Sequence, residues 1–275
     1  MSKFIKSHGL GNDYIVFNEE DIDFPLNTKN IKKICDRNYG IGSDGILIFK
    51  KISDNHFKVK IFNPDGSEAE KSGNGIRILA KFLFEHRFTS LKEFFIETLG
   101  GQVRVNLETD NNRVKNIEVE MGKVEFFNID EEIEILNDKL KVVSLSIGNP
   151  HCVFFVKEID EEYIKKVGPL IENHPSFPQR TNVQMVKIIS QDSIEIRIWE
   201  RGAGYTLASG SSSCAAACAS YRKGFVGEKV NVIMPGGKLE VIIKPSWEVI
   251  LKGPAQEIFI GELSKEFLED LRSLN

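Results

Sequence analysis

The chain has 275 residues, 41% hydrophobic and 28% charged, with a formal net charge of −4 at pH 7. That is the composition of a soluble globular protein with core material for one large domain or two ordinary ones. The acidic balance offers no basic face for nucleic acid, and no apolar run is long enough to span a membrane.

The first residues, Met1-Ser2-Lys3-Phe4-Ile5-Lys6, lack the apolar stretch of a signal peptide. The four cysteines, Cys35, Cys152, Cys214 and Cys218, form no CxxC pair, so a reducing cytoplasm is expected. Gly11-Asn12 then precedes Val16-Phe17. Residues 57–62 alternate apolar with charged or bulky side chains, the period of a half-buried strand, and end on Asn63. Ser72-Gly73-Asn74-Gly75 opens a run, Ile76 to Leu83, whose apolar face predicts a helix. Strands are expected at Phe94–Glu97 and Gln102–Leu107, turning through Gly100-Gly101. Asp130–Lys139 is acidic and poorly periodic and reads as a surface excursion.

The pattern then recurs. Gly148-Asn149 with Val153-Phe154 stands 137 residues after Gly11-Asn12 with Val16-Phe17. Residues 194–199 restate the strand, and Ser209-Gly210 restates Ser72-Gly73, again at 137. The run from Ser211 to Ala219 is small and apolar on every side and predicts a buried helix. Strands at Val230–Ile233 and Lys238–Ile243 flank Gly236-Gly237, at an offset of 136. Ser264–Leu274 predicts a short amphipathic helix. One folding unit is therefore used twice. The first lobe is expected over 1–118, with the tail 262–275 packing back on it, and the second over 119–261. Each lobe is expected to aim its Ser-Gly helix start into a shared cleft.

A helix start offers unpaired N–H groups and a positive dipole end, and glycine lets a ligand come close. Ser72 or Ser209 alone reads as a helix N-cap. As a pair at matching repeat positions, the two starts would grip an anion, most simply a carboxylate. Arg201 is a bidentate carboxylate clamp and Glu200 a partner for an ammonium; Asn12, Asn149 and Asn182 are expected in loops beside strands, and Asn63 stands before the first Ser-Gly loop. Together they describe a pocket for a zwitterion such as an amino acid. No metal-ligand spacing is present, and Ser72-Gly73-Asn74-Gly75 lacks the Gly-Lys-Ser/Thr ending of a phosphate loop.

Five blocks in order resemble the diaminopimelate epimerase family. They are His8–Tyr14 (HGLGNDY), Asn38–Gly45 (NYGIGSDG), Phe62–Glu68 leading to Ser72–Gly75, Gly148–Val153 (GNPHCV), and Glu200–Gly204 with Thr206–Gly210. The resemblance covers essentially the whole chain. It implies an α/β fold of two pseudo-symmetric lobes, each a β-barrel-like sheet around a central helix. It implies a cofactor-independent, metal-free epimerase of lysine and peptidoglycan precursor synthesis, with a small amino-acid substrate and, in many members, a homodimer. Two cysteines face each other across the substrate α-carbon in that family, one removing a proton as the other delivers one. This chain carries Ser72 and Ser209 at those positions.

The resemblance assigns Asn12 and the backbone of Gly73, Asn74, Gly210 and Ser211 to the reacting end of the substrate. It assigns Asn63, Asn149, Asn182 and Arg201 to the distal carboxylate, and Glu200 to the distal ammonium. Tyr205 and the Gly210-Ser211-Ser212-Ser213 run also depart from the family pattern. A serine acts as a base only with a partner, and His8 and His151 are the candidates to approach in space. Three readings follow: an epimerase of diaminopimelate, a paralogue that racemises another amino acid, and an amino-acid-binding protein without catalysis.

Overall fold

The computed structural model describes residues 3–274 and divides them into two compact units. One runs to Val119 and resumes at Pro254; the other is Glu120–Gly253.

The first unit opens with β1 (Lys3–Gly9), β2 (Asn12–Asn18), α1 (Thr28–Cys35), β3 (Ile46–Ser53), β4 (His56–Phe62) and β5 (Glu68–Ala69). It continues through α2 (Gly73–Glu85), β6 (Glu93–Thr98), β7 (Gly101–Asp110) and the first part of β8 (Arg113–Lys123), the strand in which the division at Val119 falls. The second unit contains β9 (Glu125–Ile135), β10 (Asp138–Ser146), β11 (Pro150–Phe155), α3 (Glu161–Glu172), β12 (Asn182–Ser190), β13 (Ser193–Glu200) and β14 (Gly204–Thr206). After α4 (Gly210–Arg222) come β15 (Lys229–Met234), β16 (Gly237–Ile243) and β17 (Glu248–Gly253). The chain then returns to the first unit with β18 (Gln256–Glu262) and α5 (Lys265–Ser273).

The duplication extends to the register of pairing. β2 and β3 are parallel, with Val16 opposite Leu47; β11 and β12 are parallel, with Val153 opposite Gln184. β3 and β4 are antiparallel, with Ile46 opposite Phe62; β12 and β13 follow with Val183 opposite Trp199. Every one of these residues is displaced by 137 from its counterpart. Past the helices the displacement is 136: Phe94 opposite Val105 in one unit, Val230 opposite Val241 in the other. α2 and α4 are both 13 residues long, so the lost residue lies between helix end and next strand. Parallel neighbours need a crossover, and α1 and α3 supply it.

Each unit buries its own helix. α4 packs against β10, β11, β12, β13, β15, β16 and β17, which explains a sequence of Ala, Ser and Cys with no bulky face. α2 packs against β1, β2, β7 and β18 with Ile76, Ile78, Leu79 and Leu83 buried. α5 seals the first unit: Leu268 and Leu271 join Phe17, Ile31 and Ile46 in one core cluster, and Asn30 Nδ2 donates to Leu271 O at 2.8 Å.

Two sequence expectations meet a different outcome. The acidic stretch Asp130–Lys139 is a paired hairpin of β9 and β10, turning at Leu136-Asn137 with both φ positive. Its odd positions Ile133 and Ile135 are buried while Glu132 and Glu134 face solvent, a charged outer face that the absence of helical periodicity disguised. The return to the first unit comes at Pro254, ahead of the expected residue 262, because β18 pairs antiparallel with β1 along Lys3–His8.

Candidate active site

In the first unit, the β-region backbone of Ser72 (φ −136°, ψ 113°) caps α2, and its Oγ accepts the Gly75 N–H at 3.0 Å. Ile76 N–H makes the first helical bond, to Ser72 O, so the N–H groups of Gly73 and Asn74 lie ahead of the helical ladder. Tyr14, on β2 and 7% exposed, brings its Oη to 3.1 Å from Ser72 Oγ. Gly45 makes room for that ring: a Cβ there would stand 2.6 Å from Tyr14 Cε1 and 2.7 Å from Phe62 O.

A directed chain of hydrogen bonds orients the amides around the helix start. Arg77, fully buried, donates to Gly73 O at 3.1 Å and to Asn74 Oδ1 at 2.9 Å. Asn74 Nδ2 donates to Asn12 Oδ1 at 3.0 Å, and Asn12 Nδ2 to Asp44 Oδ2 at 3.1 Å. Arg37 closes the chain, bonding Asp44 Oδ1 at 2.7 Å and Asp13 Oδ1 at 2.8 Å. Burial works to raise the Asp13 carboxyl, but Arg37 and Lys6 outweigh it and hold Asp13 below the usual carboxylate range. Asp44 is pushed up, first by burial and then by the neighbouring charge of Asp13.

In the second unit, Ser209 is 5% exposed and caps α4 in the same extended conformation (φ −144°, ψ 129°). Its Oγ accepts Ser212 N–H at 3.4 Å, and its carbonyl accepts Ser213 N–H at 3.0 Å and Ser213 O–H at 2.7 Å. Gln184 Nε2 donates to Ser212 Oγ at 3.0 Å and to His151 Nδ1 at 3.1 Å. This assigns the proton of His151 to Nε2, which donates to Asn149 Oδ1 at 3.0 Å. Burial pushes the imidazole down to about 3, and the positive charge of Arg201 adds to the effect.

The turn that carries Glu200 and Arg201 is held from below. Asn182 Oδ1 accepts Arg201 N–H at 3.1 Å, and Asn182 Nδ2 donates to Pro150 O at 2.9 Å. Glu172, buried at the end of α3, accepts Trp199 Nε1–H at 2.7 Å and Gly202 N–H at 2.9 Å. Arg201 itself is exposed, with Nη1 donating to Gln179 O at 3.1 Å.

Among the sequence candidates, Asn12, Gly73 and Asn74 thus gather at Ser72, and Gly210 and Ser211 follow Ser209. Asn149 joins the His151–Gln184–Ser212 chain, and Asn182 meets the Arg201 backbone. Asn63 bonds Ser67 Oγ at 3.0 Å inside its own turn. His8 accepts Gly11 N–H at 3.2 Å, and among the described bonds neither His8 nor His151 reaches Ser72 or Ser209. Sequence reasoning missed Tyr14, Asp44, Arg77, Glu172 and Gln184. The 137-residue offset held the clue to the first, since it sets Tyr14 against His151.

All four cysteines are buried, and burial raises the thiols of Cys35, Cys152 and Cys218. They behave as core residues rather than proton carriers. Among the described residues no group of three or more His, Cys, Asp or Glu side chains converges in a way that would hold a metal ion, and no helix is long and apolar enough to cross a membrane.

The diaminopimelate epimerase family model matches residues 4–127 and 143–258, so it spans both repeats. The chain is 45% identical to diaminopimelate epimerase 2 of Nostoc sp., with 96% of each chain covered. It is 38% identical to the diaminopimelate epimerase of Pelotomaculum thermopropionicum, over 94% of this chain and 98% of that one. Among solved structures, a probable proline racemase from Agrobacterium radiobacter superposes with a TM-score of 0.73 at 15% identity, covering 96% of this chain and 93% of that one. A hydroxyproline epimerase from Agrobacterium vitis gives 0.72 at 14%, covering 94% and 91%. These two share the fold. With both repeats matched and full-length relatives at such identity, the chain belongs to the diaminopimelate epimerase family.

Proposed function

We propose that this chain is a cofactor-independent isomerase that interconverts LL- and meso-2,6-diaminopimelate by two-base transfer of the α-proton, with Ser72 and Ser209 as the two proton-bearing groups. The observation that carries the reading is the pair of serine-capped helices, equal in length and 137 residues apart, each opening on N–H groups ahead of its first helical bond. Such helix starts favour a carboxylate and the charge that develops beside it when the α-proton leaves.

In this reading Asn12, Asn74 and the backbone of Gly73, Gly210 and Ser211 hold the reacting amino-acid end. Asn63, Asn149, Arg201 and Glu200 hold the distal end, and Asn182 acts by fixing the Arg201 turn. The reaction needs no cofactor and takes place in the cytoplasm. A homodimer is the assembly the resemblance implies, and sedimentation equilibrium reads it.

The test is deuterium incorporation at the α-carbon in heavy water, screened over amino acids, together with calorimetric binding. Exchange and heat with diaminopimelate support the proposal. Clear binding and exchange with a different amino acid, and none with diaminopimelate, overturn the substrate in favour of a paralogous racemase. Binding without exchange for every amino acid overturns catalysis in favour of a binding protein.

A further inference from the structure

We infer that Tyr14 is the positioning and proton-relay partner of Ser72, the residue through which that serine works as an acid–base group. The inference rests on the reading of Ser72 as one of the two proton-bearing groups. A lone hydroxyl is a poor base, and a neighbouring group that shares its proton makes serine a far better one. Tyr14 supplies that group, with its Oη 3.1 Å from Ser72 Oγ.

The surroundings hold the phenol in that place. Tyr14 lies on β2 in the interior of the unit, and Gly45 leaves the space its ring occupies. Ser72 Oγ receives the Gly75 N–H as well, at 3.0 Å, so the oxygen is oriented by two neighbours at the positive end of α2. Both features favour negative charge on the serine oxygen during transfer.

With Tyr14 as phenolate, the α-proton of the substrate passes to Ser72 Oγ while the serine hydroxyl proton passes to Tyr14 Oη. The C–H electron pair stays on the α-carbon, and Tyr14 ends as the neutral phenol. In the reverse direction the phenol returns its proton to Ser72 Oγ as Ser72 protonates the α-carbon. No other reactant is needed.

The second repeat is built otherwise. The position matching Tyr14 is His151, whose ring nitrogens are taken up by Asn149 and Gln184. The relay therefore serves one of the two proton-bearing groups, and removing it should impair proton removal from one stereoisomer more than from the other.

The experiment measures deuterium wash-in at the α-carbon, stereoisomer by stereoisomer and as a function of pH, in the unsubstituted chain, in Y14F and in a form carrying 3,5-difluorotyrosine at position 14. Because the phenolate is the form that takes the serine proton, the rate in the unsubstituted chain should climb with pH as the phenol ionises. Y14F should lose about 100-fold or more in the exchange of one stereoisomer and lose that climb. The fluorinated form keeps the shape and the hydrogen bond, so the climb should reappear at lower pH, a change that a purely structural tyrosine would not produce. An undiminished rate in Y14F, or an unmoved pH profile in the fluorinated form, overturns the inference and leaves the proposed function standing. Absence of exchange in the unsubstituted chain with every amino acid overturns the proposed function, and the inference with it.

Discussion

Tyr14 Oη lies 3.1 Å from Ser72 Oγ, whereas His151, 137 residues later in the second repeat, turns its two ring nitrogens to Asn149 and Gln184. Duplication placed a ring at the same point of both units, and the units then diverged. One ring touches the helix cap, and the other is locked into a neutral chain that reaches the cap through Gln184 and Ser212.

That locked histidine predicts an acid sensitivity. His151 is 1% exposed and its pKa is lowered to about 3, against about 6.5 in an unfolded chain. Between these values the unfolded chain binds a proton that the folded one does not, so stability falls as pH drops through this window. One full proton corresponds to about 1.4 kcal/mol per pH unit. Replacing His151 by Gln should flatten the dependence between pH 6.5 and 4 by up to that slope. Urea midpoints of both forms across the window read the difference, and parallel curves would show that His151 takes up its proton without unfolding.

Gly45 predicts a loss that mimics removal of the phenol. An alanine there would place its Cβ 2.6 Å from Tyr14 Cε1 and 2.7 Å from Phe62 O, too close for either to stay put. Overpacking of this kind costs about 1–3 kcal/mol. Gly45→Ala should therefore lower the thermal midpoint and reduce α-proton exchange together, whereas Y14F should reduce exchange with little change in stability. A Gly45→Ala form with full exchange would mean that the ring has another place to go.

Much of this molecule was legible beforehand because the physics is local. Residues 57–62 and 194–199 alternate with the pleat, and Ser72 and Ser209 stand where a cap is needed, so strands and helices could be read and the repeat counted. Tyr14 was not legible, since an aromatic residue inside a strand looks like any core residue until Gly45 and Ser72 are brought to it from 31 and 58 positions away. Nor was Glu172, whose partners Trp199 and Gly202 lie across the unit. β18 escaped notice for a related reason: its exposed Ile258, Phe259 and Ile260 blur the alternation, and only pairing with β1 defines it.

Glu172 predicts a binding defect at a residue that need not touch substrate. Its two oxygens accept Trp199 Nε1–H and Gly202 N–H, with Arg180 Nη1 at 3.3 Å, and so hold the turn bearing Glu200 and Arg201. Glutamine keeps the shape but offers one oxygen where two are needed, which leaves a buried N–H facing an amide N–H. The cost is about 1–3 kcal/mol, and wherever it falls on the turn, affinity drops about tenfold for each 1.4 kcal/mol. Calorimetry should show weaker binding of diaminopimelate by Glu172→Gln, with a smaller loss for simple amino acids that lack a distal carboxylate. Equal losses for both would place the effect on the whole unit rather than on the turn.

Replacing both Ser72 and Ser209 by cysteine exchanges two hydroxyls for thiols that titrate near 8.5, lower still at a helix N-terminus. The native cysteines are buried, so new thiolate absorbance at neutral pH would report the introduced pair. Exchange with diaminopimelate should then rise without the steep pH climb expected of the serine form. A sulfur at position 72 also needs more room than the oxygen it replaces, and Tyr14 Oη already stands 3.1 Å away. Adding Tyr14→Phe to the double-cysteine form should therefore raise the rate further, the reverse of its effect beside serine. A sign change of this kind separates a relay that serves a hydroxyl from a ring that merely fills space. A double-cysteine form that binds diaminopimelate and still leaves its α-proton in place would mean that the pocket is shaped for another amino acid.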